Sequence, residues 1–395
     1  MSWQIFLQAQ LEGIESFLCA GDPAVQRRLI DAYSVTAPAQ FLADRGLSPI
    51  LLGSSGGGQF LLVLPDAERA AAAEYFEALK EKVSTESRGR LRLLWAMTEN
   101  LGTWQRIRER LNAELKAQAG RLATAESFQP FVPIPNCSED RPGAPVLRGD
   151  VDLFRQRIER AETIESYVSC SVLYRQFFEG EVTRLAEGRV EVLYLGGDDF
   201  GVCGDWRVLI DFGMELHRLF DRFIEENLTA APGPEAKTLS LALALPEPDE
   251  RLSAVWARCG DLLADAKVIT RNGFHLFGRT LEWKEAPEAA AIKDHAVRLI
   301  REFGCSTQFL HELRSFYPEQ ELTGRKRVRK ADRPWRFYRR LALMLDPQER
   351  RARSREFEKV KEALAREIIG KNIGQARLRP TGRVALDWAQ LLTEG

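Results

Sequence analysis

The sequence predicts an α+β protein in which two similar units precede a helical region. The order strand, helix, hairpin, helix, strand runs from about residue 3 to residue 99, with a further helix up to about 125, and it recurs from about residue 145. A segment rich in proline and polar turn residues separates the two occurrences. From about residue 288 strand signals stop and apolar residues keep helical spacing, which predicts helices.

The first unit begins with the apolar strand WQIFLQAQ. An amphipathic helical segment follows at 22–46. The stretch 48–65 is a strand, a glycine-rich turn reading SSGGG and another strand. A helix at 67–83 and a fourth strand at 90–99 complete the unit. In the second unit a strand ends at Asp152 and a long helical stretch is expected at 153–187. A hairpin at 190–204, a helix at 206–228 and a strand at 238–246 come next. A helix at 249–270 and the short closing strand FHLFG at 274–278 complete the unit.

Two βαββαβ units in tandem imply two ferredoxin-like domains, the fold of the palm of many polymerases and nucleotide cyclases. We therefore expect a first palm at 1–127, a linker at 128–144, a second palm at 145–287 and a C-terminal helical bundle at 288–395.

The charge, the cysteine spacing and the apolar runs exclude several classes of protein. The net charge of −1 gives no global field to recruit nucleic acid, so any basic surface must be local. The six cysteines form no CxxC pair, which favours a reducing compartment and argues against a structural zinc site. No signal-type segment and no membrane-spanning apolar run is present. We expect a cytoplasmic protein that binds neither zinc nor membranes.

The segment VEVLYLGGDDFGVCGD at 190–205 predicts a hairpin with two adjacent carboxylates at its turn, Asp198 and Asp199. Gly196 and Gly197 let the backbone turn sharply and leave room for a phosphate to approach. Upstream, the strand PVLRGDVDLF carries Asp150 at its acidic end, and Asp152 is expected to be secondary. Carboxylates brought together by two strands can hold two Mg²⁺ or Mn²⁺ ions against a nucleoside triphosphate.

This pattern predicts metal-dependent nucleotidyl transfer. Asp150, helped by the Val151 carbonyl, would bridge the ions, Asp198 would complete the site, and Asp199 would support the second ion. The alternative is that GGDD is only a hairpin turn, because Gly and Asp are common there. The hairpin of the first unit carries no acid, so the first palm is expected to be metal-free.

Lys267 and Arg271 lie four residues apart in LLADAKVITRN, so on a helix end they would share a face and could grip the β- and γ-phosphates. The alternative is an ordinary solvated helix face.

The motifs DVDLF, GGDDF and AKVITRN together resemble the nucleotide-cyclase palm superfamily. Within it, the chain is most similar to the large signature subunit of type III CRISPR–Cas effector complexes, in a minimal form. The similarity rests on GDVDLF, CSVLYRQFF, LGGDDF, TLSLAL, AKVITRN and LFGRTLEW in matching order, with GIESF and GGGQFLLVLP in the first palm.

This resemblance implies an antiviral enzyme that makes cyclic oligoadenylate second messengers from ATP when guide RNA pairs with target RNA. Its partners would be the RNA-bearing backbone and small subunits of the complex. The resemblance also makes Ser171 a candidate nucleotide contact, with a plain helix-surface serine as the alternative. It suggests Ser54 and Ser55 as contacts of a second ATP.

The chain also departs from the family pattern. The HD nuclease domain and the cysteine-rich zinc insert are not recognised in it, so no single-strand DNase activity is expected. Val172 stands where the family has arginine, and Arg271 stands where it has lysine. Linear or short cyclic products, a non-catalytic scaffold subunit and a stand-alone cyclic-dinucleotide synthase therefore stay open as alternatives.

A dense basic stretch interleaved with aromatic residues lies at 325–340. It is a candidate surface for RNA or a partner subunit, with a solvated loop as the alternative. Its leading residues are Arg325, Lys326, Arg327, Arg329 and Lys330.

Overall fold

The computed structural model describes residues 4–126, 140–229, 231–315, 317, 339, 354–369 and 379–394. It divides into two compact units, of which the first comprises Met1–Leu239 with Leu243–Asp261 and the second Ser240–Ala242 with Leu262–Gly395. The predicted domain boundaries stay a prediction. The basic residues between Arg325 and Lys330 and most of the predicted linker lie outside the described residues.

The first palm forms a four-stranded sheet in the order β2-β3-β1-β4, with β1 antiparallel to both β3 and β4. Ser48 caps a single helical turn before β2, and Asp22 caps α2 with its side chain. The elements are β1 (Gln4–Glu12), α1 (Ile14–Leu18), α2 (Pro23–Asp31), α3 (Ala37–Asp44), β2 (Leu52–Gly56), β3 (Gln59–Pro65), α4 (Arg69–Glu86), β4 (Arg92–Glu99) and α5 (Trp104–Glu126).

Helices cover both faces of the sheet in this palm. On one face, α5 packs against the sheet through Trp104 and Leu111, and the rings of Phe6 and Trp104 lie 5.6 Å apart. On the other, α4 buries Phe76, whose ring lies 5.4 Å from that of Phe60. Alternation of apolar residues along β1 and β3 supplies both faces.

The second palm repeats the topology, because its strands follow the order β8-β5-β7-β6. In both palms the fourth strand therefore neighbours the first, and the first neighbours the third. This confirms the predicted pair of ferredoxin-like palms. The elements are β5 (Val146–Val151), α6 (Phe154–Glu159), α7 (Ile164–Phe177), α8 (Thr183–Ala186), β6 (Glu191–Leu195), β7 (Asp199–Cys203), α9 (Trp206–Asn227), β8 (Leu239–Ala244) and α10 (Leu252–Ile269).

Aromatic side chains fill the core between this sheet and its helices. Phe200 of β7 stacks on Phe178, with ring centroids 5.8 Å apart, and lies 6.2 Å from Phe212 of α9. Because side chains alternate along a strand, the neighbours of Phe200 in β7, Asp199 and Gly201, face the opposite side of the sheet. The carboxylate site is therefore built on the face away from this aromatic core.

The predicted helix at 153–187 is interrupted. It is divided into α6, α7, a wider turn at Phe178–Val182 and α8. Thr163 begins α7 by accepting a hydrogen bond from the Ser166 amide at 3.2 Å. Helical spacing on both sides of this cap concealed the break.

In the second unit, the middle of β8 pairs in parallel with β9 (Gly273–Leu276), which forms a hairpin with β10 (Arg279–Glu282). The strand β10 was not predicted. Its turn has left-handed φ at both central positions, 51° at Phe277 and 77° at Gly278. This is the geometry of a type I′ turn, which phenylalanine does not signal.

The C-terminal region of the second unit is helical, as predicted. Within the described residues, α11 packs against both α13 and α14. No helix in the described part of the chain combines the length and the apolarity needed to cross a bilayer. The helices are α11 (Ala286–Arg301), α12 (Gln308–Arg314), α13 (Arg355–Ile369) and α14 (Pro380–Glu394).

Replacing Gly201 by alanine is expected to lower the free energy of unfolding by about 1–3 kcal/mol, the usual cost of overpacking. A Cβ atom there would lie 2.5 Å from Cη2 of the buried Trp256 ring. Gly180→Ala is the matched control, because its Cβ would meet nothing within 4 Å. The measurement is the midpoint of urea unfolding, and an equal midpoint in both variants would contradict the packing of Trp256 on Gly201.

Stability of the second unit is expected to fall as the pH drops below about 6.5. Burial, the largest cause, lowers the pKa of His275 from 6.5 to about 4, although Asp265 opposes the shift. Between pH 6.5 and pH 4 the unfolded chain therefore binds a proton at this histidine that the folded chain does not bind. The free energy of unfolding falls by about 3 kcal/mol over this range. Above pH 6.5 this contribution is fully present.

The measurement is the free energy of unfolding between pH 7 and pH 4 for the wild type and for His275→Asn. The variant is expected to show a shallower pH dependence than the control His311→Asn, in which an exposed histidine is replaced. Identical slopes in the two variants would contradict the assignment to His275.

Candidate functional site

The register of β5 against β7 places two acids side by side. Asp150 is directly opposite Asp199 in the antiparallel ladder. The next pair is hydrogen-bonded, since the Val151 amide donates to the Asp198 carbonyl at 3.0 Å. Asp150 and Asp199 therefore form a non-hydrogen-bonded pair, the kind whose Cα atoms lie about 4.5 Å apart and whose side chains are close. Both side chains are partly exposed.

Asp198 lies at the hairpin tip between β6 and β7. The Gly196 amide donates to the Asp199 carbonyl at 2.7 Å, which leaves Gly197 and Asp198 as the two residues of the loop. Asp150, Asp198 and Asp199 are thus gathered at adjoining strand ends. Their assignment as catalytic and metal-binding residues stays a prediction, and so does the role of the Val151 carbonyl.

The sharp turn expected at Gly196 and Gly197 does not explain why these two residues are glycines. Neither Gly196 nor Gly197 has the positive φ that glycine adopts most readily, so backbone strain does not require glycine here. A Cβ on Gly196 would overlap Oδ1 of Asp199 and lie 3.1 Å from the Tyr194 hydroxyl, whereas one on Gly197 would meet nothing within 4 Å. Gly196 makes room for a carboxylate.

Asp150 and Asp199 form an acidic row across the two strands. A second row of residues lies beside it on the same face of the sheet. Arg148 is opposite Gly201, which in turn is opposite Tyr194. Because Gly201 has no side chain, the Trp256 ring of α10 packs directly on the strand. The Arg148 guanidinium lies 4.1 Å from the Trp256 ring centroid, and the Tyr194 ring meets Trp256 edge-on at 6.2 Å.

Arg148 also joins the second palm to the first. Its Nη1 donates to Oε1 of Glu15 at 2.6 Å, and its Nη2 donates to Oε2 at 3.2 Å. Burial opposes the charge, but the hydrogen bond and ion pair with Glu15 raise the pKa of Arg148 above its ordinary value. Sequence reasoning missed this arginine. Its position two residues before Asp150, hence on the same strand face, was the available signal.

Tyr194 lies beneath the acids as a neutral phenol. Burial raises its pKa well above the usual value, and the negative charges of Asp199 and Asp198 raise it further. The hydroxyl consequently keeps its proton at any physiological pH and can donate a hydrogen bond, which a phenolate could not.

Asp152 is held apart from the other acids. The strand ends at Val151, and the buried Asp152 carboxylate accepts a hydrogen bond from the Thr238 hydroxyl at 2.8 Å. Its amide donates to the Thr238 carbonyl at 2.9 Å and its carbonyl accepts from the Ala236 amide at 2.9 Å. Asp152 therefore ties the loop before β8 to the end of β5.

The remaining candidates are distributed over both units. Ser171 lies on α7, and Ser54 and Ser55 lie in β2, all in the first unit. Lys267 is half-buried in the last turn of α10, in the second unit. The expectation that Arg271 shares a helix face with Lys267 is wrong, because α10 ends at Ile269 and Arg271 follows in an exposed bend.

The donor set suits a hard divalent cation. Within the described residues, no group of three or more His, Cys, Asp and Glu side chains is arranged to hold a metal ion. Mg²⁺ normally binds through one or two carboxylates, with water and substrate phosphates completing an octahedron, and does not require a full protein cage. The adjacent carboxylates of Asp150 and Asp199, with Asp198 beside them, fit that mode.

Part of the chain is similar to a known protein family. Residues 144–275 match the model of the Cas10/Cmr2 family, second palm domain. This segment is therefore similar to the second palm domain of that family, which confirms the resemblance to the large type III subunit.

Two characterised proteins are similar to part of the chain. The Cas10/Csm1 single-strand-specific deoxyribonuclease of a subtype III-A CRISPR system from Mycobacterium tuberculosis is 37% identical over 98 residues, which is 24% of this chain. A relative with the same description from Enterococcus italicus is 29% identical over 125 residues. The matched parts make up only 11% and 16% of these two proteins.

Solved structures extend the likeness in fold to nearly the whole chain. The Csm1–Csm4 cassette in complex with cA4 superposes with a TM-score of 0.69 at 15% identity, covering 99% of this chain and 69% of that one. Csm1 of T. onnurineus gives a TM-score of 0.65 at 16% identity, covering 98% and 69%. At this identity the likeness shows a shared fold.

Gly196→Ala is expected to weaken Mn²⁺ binding at least roughly tenfold. The added Cβ atom would occupy the space of the Asp199 carboxylate and displace it. Gly197→Ala is the neighbouring control, since its Cβ enters open space. Titration of each variant with Mn²⁺, followed by electron paramagnetic resonance of the free ion, measures the difference. Equal Mn²⁺ affinities in the two variants would disprove the steric role of Gly196.

Proposed function

We propose that this chain is the large subunit of a type III CRISPR effector complex and a metal-dependent nucleotidyltransferase that joins ATP into cyclic oligoadenylates. The observation that carries the proposal is the strand register that sets Asp150 opposite Asp199, with Asp198 at the adjoining hairpin tip. A turn that served only to connect two strands would not require an acid at the facing position of the neighbouring strand.

In the proposed reaction, a ribose hydroxyl attacks the α-phosphate of ATP and pyrophosphate leaves. Two Mg²⁺ or Mn²⁺ ions, when bound, supply charge neutralisation of the attacking oxygen and the triphosphate. Asp150 and Asp199 would hold the ions on one face of the sheet, and Asp198 would complete the site from the tip. The open space beside Gly197 lets the phosphates approach the hairpin backbone.

The protein's other contribution is positioning. The backbone hydrogen bond from Val151 to Asp198 fixes the tip relative to β5, and the packed row of Arg148, Gly201 and Tyr194 prevents the acidic row from shifting. Such preorganisation lowers the entropic cost of bringing two charged reactants in line. No protein nucleophile is needed, and Lys267 is the proposed cation for the triphosphate.

The comparisons support this proposal for ligands and partners. The Csm1–Csm4 cassettes of the same fold are in complex with cA4, with pppApApA and with AMPPNP. By this likeness, ATP would be the substrate of this chain and a Csm4-type backbone subunit its neighbour. Guide and target RNA would act through the assembled complex, and the cytoplasm would be its location.

The double substitution Asp198→Ala/Asp199→Ala is expected to lower ATP turnover at least about 100-fold, because several kcal/mol of transition-state stabilisation depend on the bound ions. Purified chain is incubated with radiolabelled ATP and Mn²⁺, and the products are separated chromatographically and tested for phosphatase resistance. Asp211→Ala, which removes an exposed acid from α9, is the matched control and is expected to keep wild-type turnover.

Phosphatase-resistant oligoadenylates that are absent from the double variant would support the synthase. When the wild-type chain alone is silent, the assay is repeated on the complex loaded with guide and target RNA. Silence there too would contradict the enzyme and leave a nucleotide-binding or structural subunit as the function.

A further inference from the structure

One arginine of the second palm reaches into the glycine-rich turn of the first. Arg175 on α7 donates from Nη1 to both the carbonyl and the hydroxyl oxygens of Ser55, each at 2.6 Å. Ser55 is buried, with 8% of its surface exposed. The Arg175 Nε lies 3.4 Å from Oε1 of Glu179, one turn further along the chain. The guanidinium, on its way to β2, is thus flanked by an acid from the wider turn that follows α7.

The face of α7 that carries Arg175 lies along β2 over two helical turns. A Cβ on Gly53 would lie 3.2 Å from Cγ2 of Val168, and one on Gly56 would lie 3.2 Å from Cδ of Arg175. Val168 and Arg175 are seven residues apart, so they share a helix face. By the same spacing, the candidate nucleotide contact Ser171 belongs to this stripe.

The turn that Arg175 holds lies close against the hairpin tip that carries Asp198. A Cβ on Gly57 would lie 3.0 Å from the Gly197 amide nitrogen and 3.7 Å from the Gly196 Cα. Gly56, Gly57 and Gly58 all have positive φ, from 58° to 113°. Successive glycines in this conformation shape the turn so that it fits against the opposite tip, and larger residues would strain the backbone and collide there.

Two hydrogen bonds from one guanidinium constrain the turn more strongly than a point charge would. A planar guanidinium has a fixed arrangement of donors, and charged donors make the stronger hydrogen bonds. Lysine at the same position would keep the charge without that fixed geometry. Ser55 accepts through two different oxygens, so the side chain and the backbone of the turn are both held.

We propose that Arg175 is a positioning residue that holds the glycine turn of the first palm, residues 55–58, against the hairpin tip that carries Asp198. The inference rests on the proposed function, because it assigns the contact a role in nucleotide joining. The first palm would supply one nucleotide and the second palm the metal-bound triphosphate. The Arg175–Ser55 contact sets the distance across which they react.

The first test needs no activity. Hydrogen–deuterium exchange of the peptide spanning 52–60 is measured in wild type, Arg175→Ala, Arg175→Lys and Arg184→Ala. Arg175→Ala is expected to exchange roughly tenfold faster within the turn, and Arg175→Lys by less, because loss of the hydrogen bonds from Arg175 to Ser55 lets the turn open more often. Arg184→Ala is the control, since Arg184 pairs with Glu181 within its own palm.

The second test is the steady-state rate of ATP conversion by the same four proteins, in whichever form, chain or RNA-loaded complex, the wild type is active. Arg175→Ala is expected to lower kcat on the order of 10- to 100-fold with KM changed by less than about threefold, because misplacement of bound reactants slows the joining step. Arg175→Lys should recover part of this loss. A residue needed only for folding would lower thermal stability without this kcat–KM split.

Unchanged exchange in Arg175→Ala overturns the inference, and so does faster exchange with wild-type kcat. A wild type that converts no ATP in either form refutes the proposed function instead, and the positioning inference falls with it, while the exchange result still shows whether Arg175 holds the turn.

Discussion

The antiparallel register between β5 and β7 is the constraint on which the candidate site depends. It sets Asp150 opposite Asp199 and, two residues earlier, Arg148 opposite Gly201. A slip of one residue would send every side chain of β5 to the other face of the sheet, so Asp150 would enter the aromatic core. That core prevents the slip, because Phe200 is held between Phe178 and Phe212 on the far face. The position of the acids is thus specified by the packing of their neighbours.

The row below the acids connects this site to the rest of the first unit. Trp256 can lie on the strand only because Gly201 has no side chain, and the ring then provides the surface on which Arg148 stacks. The arginine continues to Glu15 in the first palm, 133 residues away in the chain. A second connection runs from Arg175 to Ser55. Both connections are charged hydrogen bonds. Arg148 and Ser55 are largely buried whereas Glu15 is exposed, so breaking either bond leaves one desolvated partner behind.

Much of the fold could be predicted because it follows from local patterns. Apolar alternation marked the strands, glycine and aspartate marked the hairpin tip, and the repeated order of elements indicated two palms. Where prediction failed, tertiary context outweighed local signals. Phe277 adopts a left-handed conformation in a tight turn that its residue type does not signal, so β10 was missed. The helix α10 ends two residues before Arg271, and boundaries of this kind are decided by caps and packing more than by spacing.

The sequence by itself determined the donor groups of the candidate site, since three carboxylates near two glycines in a strand–helix–hairpin frame are groups that suit divalent cations and phosphates. It also determined the topology of each palm. The spacing of apolar residues distinguishes strands from helices, and the order of these elements along the chain is typical of the fold. Only the tertiary structure decided why Gly196 must be glycine, what Arg148 and Arg175 bind, and that Ser55 faces an arginine. These facts depend on residues more than a hundred positions apart, or on atoms that share one small volume. Sequence periodicity does not predict such contacts, because they form only when separate elements pack together.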